Sequence, residues 1–122
     1  MKEKFEEQFN CTNIPKQVID FYNEHDGMNL KINEIFSFEQ IVKEYNKYFP
    51  EFLSGGMKYD PSAQYIPIAS DGMGGYYVFI GNKEDENIYY FDHECPTEDP
   101  EKSSIAEILE LDNQLDNWLD SK

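Results

Sequence analysis

The 122 residues carry 25 acidic and 10 basic side chains, a formal net charge of −15, and every basic residue is a lysine. A chain without arginine and with so little positive charge lacks the footprint that nucleic acid requires, and an anionic membrane surface is disfavoured for the same reason. An aromatic fraction of 16% is too high for a disordered chain, and the length suits one domain over residues 1–122 with one core.

Phe5 and Phe9 stand four residues apart in a charged opening, which predicts a short amphipathic helix. That opening lacks the apolar stretch of a secretory signal. Pro15 suits the first position of a second helix that starts near Ile14, presents Val18, Phe21 and Tyr22 on one face and stops at Gly27. Leu30, Ile32, Ile35 and Phe36 predict one short strand over residues 30–36. Ser37 and Gln40 form a capping box ahead of Phe38, Ile41, Val42, Tyr45 and Tyr48, the stripe of a helix that ends near Pro50. Residues 49–63, with Gly55, Gly56 and Pro61, read as a long loop.

Residues 65–69, 76–80 and 87–92 are β-branched and aromatic, and glycine-rich and polar turns separate them, so they predict an antiparallel meander. Pro67 places the first of these strands at an edge or lies near its start. Residues 76–80 carry large apolar groups on both faces, which predicts a central strand covered on both sides. Residues 94–103 read as an acidic connector. Ser104 and Glu107 then form a second capping box, ahead of a last helix with Ile105, Ile108, Leu109, Leu115 and Leu119 at helical spacing. Leu111 and Trp118 widen its apolar face. The order of elements predicts an α+β fold, a largely antiparallel sheet with a central meander and helices packed around it. No stretch is apolar for long enough to cross a bilayer.

Four landmarks in this order resemble the SUKH superfamily, the Smi/Knr-like proteins. They are Ile14-Pro15 before a helix ending in Asp26-Gly27, the run Ile66-Pro67-Ile68-Ala69-Ser70-Asp71-Gly72-Met73-Gly74-Gly75-Tyr76-Tyr77, the run Ile88-Tyr89-Tyr90-Phe91-Asp92-His93-Glu94, and Ser103-Ser104 before the last helix. The superfamily pattern has leucine in place of Ile14 and asparagine in place of Asp26, and residues 30–63 hold no landmark. The resemblance implies a SUKH fold from about Ile14 to Leu119. It also implies a role as an immunity protein that binds and blocks a cognate toxin domain, often a nuclease, or as an interaction hub in regulation. Neither role implies catalytic residues.

The residues themselves offer little chemistry. The glycine-rich run from Asp71 to Gly75 has no lysine after it and strands on both sides, so a tight turn outweighs a phosphate cradle. Asp92, His93 and Glu94 suggest a metal or acid–base cluster, but a polar strand end explains them more simply. Glu84 to Glu86 and Glu98-Asp99 do not follow the order of a calcium loop. Cys11 and Cys95 read as free thiols of a reducing cytoplasm, where the Asn10-Cys11-Thr12 sequon has no consequence. No catalytic residue, cofactor or metal site is expected.

Charge is concentrated late in the chain: residues 82–122 hold 13 acidic and 3 basic side chains, a net −10, against 12 and 7, a net −5, before them. That excess serves solubility alone or recognition of a basic partner, and composition leaves both readings open. On the second reading the partner is a cognate protein toxin domain, basic in character, with no nucleic acid and no membrane involved. Asp71, Glu84, Asp85, Glu86, Asp92, Glu94, Glu98 and Asp99 are then the contact residues, with Tyr59 and Tyr65 as aromatic anchors.

Overall fold

A computed structural model describes residues 1–120. Six strands lie side by side in chain order, every neighbouring pair antiparallel: β1 (Met28–Asn29), β2 (Glu34–Ile35), β3 (Tyr65–Ser70), β4 (Tyr76–Ile80), β5 (Ile88–Phe91) and β6 (Glu101–Ser103). The predicted α+β architecture with a central meander is the one observed.

The strand period of two sorts the apolar residues onto two faces. Ile66, Ile68, Tyr77, Phe79 and Ile88 face the larger core. Helices α1 (Lys2–Phe9), α2 (Lys16–Glu24), α3 (Phe38–Lys43) and α5 (Ile105–Leu111) cover that side with Phe5, Phe21, Ile41, Ile108 and Leu109, all fully buried. Tyr65, Val78, Ile80 and Phe91 face the other way and meet Phe49, Phe52 and Leu53 of α4 (Phe49–Ser54), with Met57 from the loop beyond it. Val78 and Phe79, neighbours in β4, are both 0% exposed on opposite faces, so this strand is covered on both sides as predicted. Burying each such side chain contributes about 1.5–3 kcal/mol.

Both serines cap their helices, the serine half of each predicted capping box. Ser37 Oγ accepts from the Gln40 amide at 3.2 Å, and Ser104 Oγ accepts from the Glu107 amide at 3.1 Å. The opening helix buries Phe5 and Phe9 as its spacing requires. Pro15 precedes α2 and its carbonyl accepts from the Val18 and Ile19 amides, so it caps the helix one position ahead of the predicted place. β3 is not an edge strand, yet β2 pairs only with its Ala69 and Ser70, and a register shift follows Pro67. The proline thus occupies the part of β3 beyond the reach of β2, where its missing N–H is not needed.

Four expectations are corrected. Residues 30–36 form no single strand: β1 and β2 make a hairpin whose turn closes from the Leu30 amide to the Asn33 carbonyl at 3.0 Å. The helix does not end at Pro50. Residues Glu44–Tyr48 form a π-helical turn that runs straight into α4. Pro50 lies in the first turn of α4, just after this widened turn, where the amide it lacks is most easily dispensed with. The acidic connector ends in β6, whose pairing with β5 supplies an order that its own sequence does not. The last helix is broken by Asn113, which takes φ of 60°, and resumes as α6 (Leu115–Asp120). Among the described residues no helix is long and apolar enough to cross a membrane.

Candidate interaction surface

The β3–β4 turn shows how its carboxylate is used. Asp71 Oδ1 accepts from the Met73 amide at 2.7 Å and the Gly75 amide at 2.9 Å, while Oδ2 accepts from the Tyr90 hydroxyl. Gly75 is required here, because a Cβ would lie 2.5 Å from Asp71 Oδ2 and 2.9 Å from the Phe91 carbonyl oxygen. Burial pushes the Asp71 carboxyl up. The hydrogen bonds from Tyr90, Met73 and Gly75, with His93 nearby, outweigh that and hold it below the usual carboxylate range. Two of the amides that an anion would seek are already taken by an anion of the chain itself, which suits a turn and not a phosphate cradle.

The β4–β5 turn is at the opposite end of the sheet. Asp85 Oδ1 accepts from the Asn87 amide at 2.9 Å and its side-chain amide at 2.8 Å, and Oδ2 accepts from the Tyr89 hydroxyl. Burial raises this carboxyl too, and the donors from Tyr89 and Asn87 outweigh it. Glu86 Oε1 accepts from the Lys16 amide at 3.0 Å, which places a carboxylate at the start of α2. Glu84 is exposed.

The segment after β5 is a turn, so Asp92, His93 and Glu94 do not alternate as strand residues would. Asp92 Oδ1 accepts from the Glu94 amide at 2.9 Å. His93 packs beside Gly74, and His25 packs on the Phe21 ring at 5.3 Å. Among the described residues no three His, Cys, Asp or Glu side chains come together as metal ligands. Further along, Glu98 is exposed and Asp99 pairs with Lys58 at 3.0 Å.

The expected contact residues therefore do not share one patch. Asp71, Asp92 and Glu94 lie where β4 begins, and Glu84, Asp85 and Glu86 where it ends, the length of a five-residue strand apart, or about 15 Å. The tyrosines divide as well. Tyr59 is 42% exposed, on a groove lined by Tyr45, Phe49, Pro50 and Leu53. Tyr65 corrects the expectation of a surface anchor. It is 8% exposed, its ring lies 5.1 Å from that of Phe91, and its hydroxyl accepts from the Asp60 amide at 3.0 Å. It faces inward because the β3 register sends it to the second core.

Three exposed apolar residues were absent from the expected set: Ile32, Met73 and Leu111. Met73 was legible as the one apolar residue among turn glycines. Leu111 lies off the stripe of Ile105, Ile108 and Leu109, whereas its sequence reading placed it in the core.

Comparison with curated proteins and with solved structures gives no match. A family model matches residues 3–121, nearly the whole chain, and agrees with the motif order read from residues 14 to 119. The chain belongs to the SMI1/KNR4 family (SUKH-1).

Proposed function

We propose that this chain is a non-catalytic immunity protein: one domain that binds a cognate toxin domain in the cytoplasm and blocks it. The observation that carries this reading is membership of the SMI1/KNR4 family, in which such a role is frequent, over residues 3–121. The net charge of −15 without arginine supports a basic partner, such as a toxin domain whose own groove binds nucleic acid. Occlusion is the mechanism. The acidic field speeds the encounter, and the bound chain covers the toxin's substrate groove.

The test is co-expression with the C-terminal domain of a large modular protein encoded beside this gene. Cells that carry both survive, and cells that carry the toxin domain alone do not. If survival is not restored and the two purified proteins do not associate, the immunity reading is wrong for that pair. A regulatory hub then becomes the better account.

A further inference from the structure

Single apolar residues on a surface are ordinary, so their arrangement is what matters. Six large hydrophobic residues are exposed among those described: Ile32, Tyr48, Tyr59, Met73, Leu111 and Leu119. Three of these lie on segments that converge although they come from distant parts of the chain. Ile32 lies at the tip of the β1–β2 hairpin. On one side its carbonyl oxygen abuts Gly72, where a Cβ would lie only 2.7 Å away; φ there is 76°, so glycine is required twice over and the turn that carries Met73 is held against the hairpin tip. On the other side the Ile32 amide donates to Asp112 Oδ1 at 2.6 Å, which brings the end of α5, with Leu111, to the hairpin tip. Ile32, Met73 and Leu111 are 55%, 68% and 57% exposed. A groove of about 510 Å³ lies between the hairpin and the end of α5, lined by Met28, Leu30, Lys31, Asp112 and Gln114 among others.

The charge around this patch is mostly negative. The segments that supply the three residues (31–33, 71–75 and 107–114) bring Asp71, Glu107, Glu110 and Asp112 with them, against Lys31 alone; Glu107 and Glu110 are exposed, whereas Asp71 and Asp112 are held within the chain and add only their charge. The Tyr77 hydroxyl reports the same convergence. It is pushed up to about 12 by burial first, then by the carboxylates of Asp71, Glu107 and Asp112. An apolar centre with a charged rim is the anatomy of a protein-binding site. A second copy of this chain is a poor occupant, since it would set two such acidic rims against each other.

We infer that the partner docks on the surface formed by Ile32, Met73 and Leu111, and that it presents an apolar centre ringed by lysine or arginine side chains. This rests on the immunity reading for the partner's identity. The Tyr59 groove is the weaker alternative, because no acidic side chain among the described residues lines it to complement a basic rim.

The test titrates the toxin domain encoded beside the gene with wild type, Met73→Ser, Leu111→Ser and the double variant. These side chains are more than half exposed, so urea midpoints should be unchanged. Each single variant should weaken binding at least ~10-fold, the scale of an interface hot spot, mainly through faster dissociation. Tyr59→Ser should bind as wild type does. In the wild-type complex, amides of residues 31–33, 72–74 and 110–114 should gain protection from hydrogen exchange. If wild type neutralises the toxin domain and the double variant binds equally well, the docking surface is wrong and the immunity reading stands. If wild type does not bind it, both fall. If wild type sediments as a dimer that the double variant loses, a second copy covers this face and the assigned partner is overturned.

Discussion

Asp112 joins the hairpin tip to the end of α5, and its removal has a size that can be worked out. Its carboxylate accepts from the Ile32 amide at 2.6 Å, the Asn33 amide at 3.1 Å and the Asn33 side-chain amide at 3.0 Å. Asp112 is 8% exposed and Asn33 is 2% exposed. In Asp112→Ala the Ile32 amide regains water, because that residue is at the surface. The Asn33 backbone amide does not, and its side-chain amide keeps only a longer bond to the Ile108 carbonyl at 3.4 Å; a buried donor left unsatisfied costs about 1–3 kcal/mol. The bonds share one carboxylate and one loop, so their contributions do not simply add. A loss of ~3 kcal/mol follows, out of the roughly 5–15 kcal/mol that holds a domain of this kind together. For a chain of this length it lowers the melting temperature by ~10–15 °C. Urea unfolding followed by circular dichroism measures it as a lower midpoint at unchanged slope. The same variant should free the hairpin tip, so amides 30–33 should exchange at a lower opening energy than the rest of the sheet. A loss below ~1 kcal/mol, or an unchanged exchange pattern, would show that Asp112 does not hold the hairpin.

Three further outcomes follow from individual contacts. Burial pushes the Glu44 carboxyl up, a hydrogen bond from the Tyr76 hydroxyl offsets part of this, and Glu34 adds to the rise. A carboxyl whose pKa is higher folded than unfolded destabilises the fold progressively as pH rises above the usual carboxylate range. Glu44→Gln should therefore match wild type near pH 4 and be the more stable of the two at pH 7; a variant less stable at pH 7 with the same pH dependence would contradict this. Ser37→Ala and Ser104→Ala should each lower stability by about 1 kcal/mol, and additively in the double variant, as measured by urea midpoints. Glu84→Lys should slow association with the toxin domain ~2-fold at low salt through the long-range field and leave dissociation unchanged. Stopped-flow mixing separates the two rates, and faster dissociation would place the β4–β5 turn in the interface.

The features readable from the sequence are those fixed by neighbours in the chain. Ser37 with Gln40 and Ser104 with Glu107 announce helix starts because the cap is a local hydrogen bond. Residues 76–80 announce a doubly covered strand because both pleat faces are apolar. The features that were missed depend on contacts from far away. The β1–β2 hairpin is fixed by Asp112, about eighty positions distant. β6 has a polar sequence and is a strand only because β5 offers it a ladder. Pro50 argued for a stop that the preceding π-helical turn removes. The candidate site followed the same rule. Acidic turn residues were easy to name, yet Asp71, Asp85 and Glu86 hold amides and hydroxyls of the chain itself, which only the folded backbone shows. Ile32, Met73 and Leu111 had no reason to be grouped until the fold brought their three segments together.

The most direct test of a non-catalytic toxin blocker is the stoichiometry of inhibition. The toxin domain encoded beside the gene would be titrated with this chain while its activity is followed. Activity should fall linearly to zero and break sharply at a fixed molar ratio, with a complex of that composition isolated by size exclusion. Activity that survives a large excess of this chain, or that is lost at amounts far below the toxin's because the toxin is chemically altered, would contradict the account.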